Sequence, residues 1–183
     1  MSDLAARKLV ELAGDLASET CLERLLDRIL DALTAVSGAE RTFIVLIEDG
    51  EPYVRGASAT AGLSWTVLGR VLAENRPLVL ADAMGDPSFS TARSVQRARL
   101  RSVCAIPLRT SLEAIGALYL DHSTAVGAFS QSLLDSLHAF ATLAALAIAS
   151  LRKQTPRPGG ESHPIEGIVA VDPVMRRILK TVK

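Results

Sequence analysis

Few residues in this 183-residue chain have types and spacing that could do chemistry. Its two cysteines, Cys21 and Cys104, lie far apart without metal or redox spacing, so each reads as a small buried hydrophobe in a reducing compartment. The three histidines give no pair at ligand spacing. His122 follows a strand end, His138 sits in the polar phase of a helix, and His163 lies in a Pro/Gly stretch. No Ser/His/Asp set assembles with any specificity. There is no Walker A sequence, Gly-rich phosphate loop or helix-turn-helix, so this chain is not expected to hydrolyse ATP or read DNA by itself, and it is read as a non-enzyme. Binding chemistry remains. Trp65, Arg55, Arg101 and Asp82 could line a ligand cavity, an apolar surface with a few convergent polar groups. The same residues have a plainer reading, with Trp65 as a core plug and the arginines solvated. Arg97, Arg99 and Arg101 read as the solvated face of a loop.

Periodicity supplies the elements that must position these groups. Leu4, Leu9, Leu12, Ala13 and Leu16 share one helical face, and Leu22, Leu25, Leu26, Ile29, Leu30, Leu33 and Val36 share another. Two helices are predicted, about 3–17 and 20–37, with capping-box spacing from Thr20 to Glu23 and Gly38 as the stop. Phe43–Ile47 is a continuous apolar run that suits a central strand, Asp49-Gly50 is a turn signal, and "PYVRGAS" returns as the next strand. A helix capped by Ser64 carries Val67, Leu68, Val71 and Leu72 and is broken by Pro77. The strand "PLVLAD" follows, then a long polar loop over 82–101 with room for one helical turn.

"SVCAIPLRTSLEAIGALYLDH", residues 102–122, reads as a hairpin in which Ile115, Ala117 and Tyr119 alternate with Gly116, Leu118 and Leu120. Pro107 lacks an N–H and is expected at an edge-facing or irregular position. A last helix, 131–152, begins after Ser130 and has two apolar rows: Leu133, Leu137, Phe140, Ala144, Ala147, Leu151, and beside it Leu134, Ala141, Ala145, Ile148. One row can cover a sheet and leave the other for a partner helix. The paired strands are joined by short turns, so the fold class is α+β: a largely antiparallel central sheet, terminal helices on one face, the mid-chain helix and long loop on the other.

Twenty basic and twenty acidic residues cancel, and the pI is near 6.8, so no field favours nucleic acid. Hydrophobic residues make up 49% and charged residues 22%, the balance of a soluble globular protein. No apolar run approaches a membrane span and the N-terminus lacks a signal-peptide layout, so a cytoplasmic protein without membrane contact is expected.

The run "DAMGDPSFSTARSVQRARLRSVCAIPL…AIGALYLDH…AFSQSLLDSLHAFATLAALAIASLRK" resembles a GAF domain, most closely those preceding the ATPase of sigma-54-dependent transcriptional activators. Arg101-Ser102-Val103, Ile106-Pro107-Leu108, Gly116–Asp121 and Ala128-Phe129-Ser130 carry the likeness. The tail "GIVAVDPVMRRILKTVK" is similar to the segment that opens the AAA+ module of those activators. The resemblance implies a GAF sensor domain over 1–153, a linker over 154–164 and the start of an AAA+ module over 165–183. It also implies a homodimer through the terminal helices, an unidentified small-molecule effector, and control of the ATPase in cis. Asp121 would then stand at the rim of the ligand cavity, with Trp65, Asp82 and Arg101 as the other candidate ligand residues; its plainer reading is a turn or cap residue. No cofactor is named by these residues. A ligand-free dimerisation module is the alternative reading. A third is a non-haem iron gas sensor using Asp82, Asp86, Cys104 and Asp121, but Cys104 is one residue too late, which aims its thiol at the opposite face of the strand.

Overall fold

The structure, a computed structural model, describes residues 14, 18–48, 50–56, 62–111 and 113–154. The helix expected at 3–17 (apart from Gly14), the linker beyond Gln154 and the segment 165–183 lie outside the described residues. Five strands form one sheet: β1 (Arg41–Glu48), β2 (Glu51–Gly56), β3 (Leu78–Leu80), β4 (Ser102–Arg109) and β5 (Ala114–His122). Their order is β2-β1-β5-β4-β3 and every pair is antiparallel, as the short turns imply. Among the described residues four helices of more than one residue accompany them: α1 (Leu22–Ser37), α2 (Trp65–Glu74), α3 (Arg93–Ala98) and α4 (Gln131–Gln154).

Strand alternation divides the core in two. Ile44 and Leu46 of β1, Cys104, Ile106 and Leu108 of β4, and Leu118 and Leu120 of β5 pack with α1 and α4. Phe43 and Val45, Val103 and Ala105, and Ala117 and Tyr119 pack with α2, α3 and the loop that carries Phe89 and Leu100. For the described helices, the expected assignment to faces holds.

Local corrections have physical reasons. α1 starts at Leu22 with Cys21 in the N-cap position, so no Thr20–Glu23 capping box forms. Glu19 braces the approach to the helix instead: its Oε1 accepts from the N–H groups of Thr20 and Cys21 at 2.9 and 3.2 Å and pairs with Arg24. The helix ends as expected at Gly38, whose φ of 64° suits glycine. In the 102–122 hairpin the register shifts between Leu108, opposite Gly116, and Arg109, opposite Ala114. Ile115 is the extra residue, and the bulge turns it to the α1/α4 side with Leu118 and Leu120, not with Ala117 and Tyr119. Pro107 lies two residues past Ala105, the last β4 residue paired with β3 in sheet order, where β4 has a strand neighbour on one side only.

Helix α4 differs most from its sequence reading. Leu137, Phe140, Ala144 and Leu151 are buried, and so are Ala141, Ala145 and Ile148 of the row expected to stay free. Both rows are covered because α4 packs against α1 as well as against β4 and β5 of the sheet. The large apolar side chains left exposed on this helix are Leu143 and Leu146. By length and composition alone α4 could cross a membrane, yet its apolar rows lie on the domain core. At its C-terminal end Arg152 donates to Glu48 Oε1 at 3.1 Å, fastening the helix to the end of β1.

Candidate functional site

Asp121 is the one charged side chain that is fully buried among the described residues. It stands on β5 facing α2 and α3, because alternation puts it on the side of Tyr119, two residues earlier. Arg41, its cross-strand partner on β1, donates from Nε to Asp121 Oδ1 at 2.6 Å. The other arm of that guanidinium donates from Nη2 to the carbonyl of Ala98, at the end of α3, at 3.3 Å. Gly62 lies flat against the same group, since a Cβ there would sit 2.6 Å from Arg41 Nη1.

Hydroxyl groups extend the network. The Tyr119 hydroxyl accepts from the Ser64 N–H at 3.3 Å. Ser64 caps α2 as its sequence position foretold, its Oγ accepting from the Val67 N–H at 3.4 Å, and it also shares a hydrogen bond with Ser94 Oγ at 2.9 Å. Ser94 in turn meets Thr66 Oγ1 at 3.1 Å. Two polar groups therefore brace this face: Arg41 links β1 and β5 to the end of α3, and Tyr119 links β5 to the start of α2 and, through Ser64, to Ser94 on α3.

Asp121 Oδ2 has no hydrogen-bond partner, and neither do the buried oxygens Asp82 Oδ1 and Thr42 Oγ1. A buried acceptor left unpaired costs about 1–3 kcal/mol, more when charged. Burial pushes the Asp121 carboxyl up to about 6, outweighing the downward pull of Arg41's hydrogen bond and charge and of the neighbouring Tyr119 hydroxyl. Burial, together with the neighbouring Asp121 charge, also holds the Tyr119 phenol well above its ordinary value.

Of the four ligand candidates from the sequence, Asp82 and Arg101 are in direct contact, while Trp65 and Asp121 are carried by α2 and β5. Asp82 and Arg101 pair at 3.3 Å where the long loop begins and ends, each partly exposed. Trp65, at the first position of α2, is half-buried against the core on that side. Asp121 is neither a rim nor a cap residue: it pairs with Arg41 instead, because the β1–β5 register sets them face to face. Arg55 is on the wrong side of the sheet for a cavity under α2. It lies opposite Ile44 and pairs with Glu23 at 2.9 Å and Asp27 at 2.8 Å on α1.

The loop itself is pinned rather than open. Ala83 N–H donates to the Arg101 carbonyl at 2.6 Å and Arg101 N–H to the His122 carbonyl at 2.8 Å, while Phe89, Val95 and Leu100 are buried.

The iron set does not assemble either. Cys104 packs among the α1/α4 residues and Asp121 faces α2, as the one-residue offset predicted. Among the described residues no group of three or more His, Cys, Asp or Glu could hold a metal ion. Burial pushes the Cys104 thiol up to about 12. Titration with a thiol-specific disulfide reagent should therefore modify one cysteine per native chain, the half-buried Cys21, and two in denaturant. Two fast thiols in the native protein would contradict the burial of Cys104.

Sequence reasoning missed Arg41 and Tyr119 and saw Ser64 only as a cap. The signal was present: with Phe43 and Val45 on one face, period two places Arg41 there as well, and Tyr119 shares the face of Asp121.

A central five-stranded antiparallel sheet, with the terminal helix packed on one face and α2, α3 and a pinned loop over a polar cluster on the other, defines the class. The chain belongs to the GAF domain family, which matches residues 22–148. Among curated proteins, none matches the sequence. Solved structures similar to it include the GAF domain of a phosphoenolpyruvate-protein phosphotransferase from Coxiella burnetii, at 17% identity and TM-score 0.68, covering 84% of this chain and 97% of that one. The free methionine-R-sulfoxide reductase from Neisseria meningitidis, in complex with its substrate, is 19% identical with TM-score 0.68 over 84% of this chain and 93% of that one. A methyl-accepting chemotaxis protein, residues 122 to 287, is 16% identical with TM-score 0.64 over 80% and 99%. GAF is a signal-sensing and regulatory fold that occurs in sensory proteins and in enzymes alike.

Proposed function

We propose that this chain is the sensory GAF module of a sigma-54-dependent transcriptional regulator, without enzymatic activity of its own. It binds a small effector on the α2/α3 face of the sheet and controls an attached AAA+ ATPase through helices that pair in a dimer. The observation that carries the binding half is Asp121: a buried carboxylate whose Oδ2 is unpaired and whose counter-ion, Arg41, also holds the end of α3. A ligand donor at that oxygen would relieve the unmet acceptor and, through Arg41 and Ala98, bear on the loop over 82–101. Ordering or loosening that loop shifts the balance between packed arrangements, the energetic basis of a sensor. The ATPase half is supported by the likeness of residues 165–183 to the opening of an AAA+ module.

The test is native mass spectrometry of the purified chain for a co-purifying small molecule, followed by hydrogen exchange after that molecule is stripped and returned. Changed protection across 82–101 is the expected result. A ligand whose return changes only 22–37 and 131–152 would place binding at the terminal helices and overturn the site. Protein that carries no adduct, and whose Asp121→Asn variant regulates a fused ATPase normally, would favour the ligand-free interaction module.

A further inference from the structure

Helix α4 presents to solvent a stripe of side chains that lies outside the core of the described residues. Leu143 and Leu146 are 43% and 54% exposed, and Ala139 and Ser150 are exposed one turn to either side. The steps between these four positions are four, three and four residues, the spacing of a coiled-coil seam. From Ala139 to Leu151 the helix carries no charge at all. Charges resume just outside, Asp135 at one end and Lys153 at the other, both exposed and on the flank of the same stripe.

That pattern is self-complementary when reversed. A two-fold axis between Ala144 and Ala145 sets Leu143 against Leu146 of the second copy, Ala139 against Ser150, and Asp135 beside Lys153. Parallel pairing would bring Asp135 to Asp135 and Lys153 to Lys153. We propose that a second copy of this chain packs its α4 antiparallel on the 139–143–146–150 stripe, an isologous interface. The inference rests on the dimer in the proposed function but moves its seam: the 134–141–145–148 row is already packed into the core of one chain. The seam spans about 17 Å of helix, small for an obligate interface, so the dimer is expected to dissociate on the order of micromolar concentration.

Sedimentation and site-directed cross-linking test it, in a Cys21→Ser background with Cys104 buried. Wild type should be dimeric at high micromolar concentration, and Leu146→Glu should be a monomer with an unchanged far-ultraviolet spectrum, because the side chain is exposed. Ala139→Cys and Ser150→Cys proteins should form a disulfide-linked dimer when mixed and oxidised, and neither should do so alone. Cross-linking of either variant with itself would mark a parallel seam and overturn the proposal. A wild-type dimer that survives Leu146→Glu and gives no 139–150 link uses another surface, which overturns this seam but not the dimer. A wild-type monomer ends both; if the thiol of the Ala139→Cys variant is then shielded from maleimide, residues 4–16 of the chain's own N-terminus are the occupant.

Discussion

Exchange of Arg41 for alanine should lower the unfolding free energy by about 3–5 kcal/mol at pH 8, the range for stranding one partner of a buried ion pair, and by far less at pH 5. The pH dependence follows from Asp121. Its carboxyl rises from an ordinary 3.8 to about 6 in the folded chain, so the folded state holds that proton more tightly than the unfolded one. The stability linked to it is fully present below pH 3.8 and is lost as pH rises through about 6. Without Arg41 the carboxylate loses its counter-ion and the folded value climbs further, so the loss at pH 8 grows while the protonated form at low pH is little affected. Urea denaturation of wild type, Arg41→Ala and the Arg41→Ala/Asp121→Asn double variant at both pH values measures this directly. The double variant should recover much of the loss at pH 8. Equal losses at pH 5 and pH 8 would show that Arg41 acts through packing on Gly62 and Ala98 and not through the charge of Asp121.

The second large effect is expected at Gly116. A Cβ at this position would stand 2.1 Å from the carbonyl oxygen of Val45 and 2.9 Å from the Cα of Leu46, both backbone atoms of β1. No rotamer change relieves such a contact, so β1 and β5 would have to part at the centre of the sheet. Gly116→Ala should cost at least about 3 kcal/mol, at the upper end of overpacking effects. Gly127 supplies the contrast. It has a φ of +63° and nothing within 4 Å of an added Cβ, so Gly127→Ala should cost only the left-handed backbone penalty, about 1 kcal/mol. Thermal or urea unfolding of both variants separates the two causes; equal losses would mean that the close approach of β1 is relieved elsewhere.

The fold was largely legible because each of its strong signals is local. Continuous apolar runs marked β1, β4 and β5, Ser64 and Gly38 marked helix ends, and short turns marked antiparallel pairing. The site was legible only in part, for a reason of register. Which residue of β1 faces Asp121 depends on a pairing between segments far apart in the chain, and periodicity fixes the face of Arg41 but not its partner. The same gap explains Arg55, whose partners Glu23 and Asp27 come from a helix that sequence spacing cannot dock. Ile115 was misplaced because a one-residue bulge leaves no compositional trace beyond its glycine neighbour. On α4, two apolar rows were visible, yet how many of them are covered depends on α1 docking beside the sheet, which spacing along one helix does not reveal.

The strand order β2-β1-β5-β4-β3 also sets a schedule for how the chain can acquire its structure. One edge of β1 is paired at once by β2, but its pairing with β5 is complete only at Asp121, 80 residues after Arg41. At roughly 5–20 residues per second of synthesis, that edge waits about 4–16 s for its partner to be made. Until then Ile44 and Leu46 have no β5 beside them, and the α4 side of the core does not yet exist. The nascent chain therefore passes through an interval in which one edge of β1 is open to any extended peptide, and it is in this interval, before the domain has closed, that it depends most on being shielded from its neighbours.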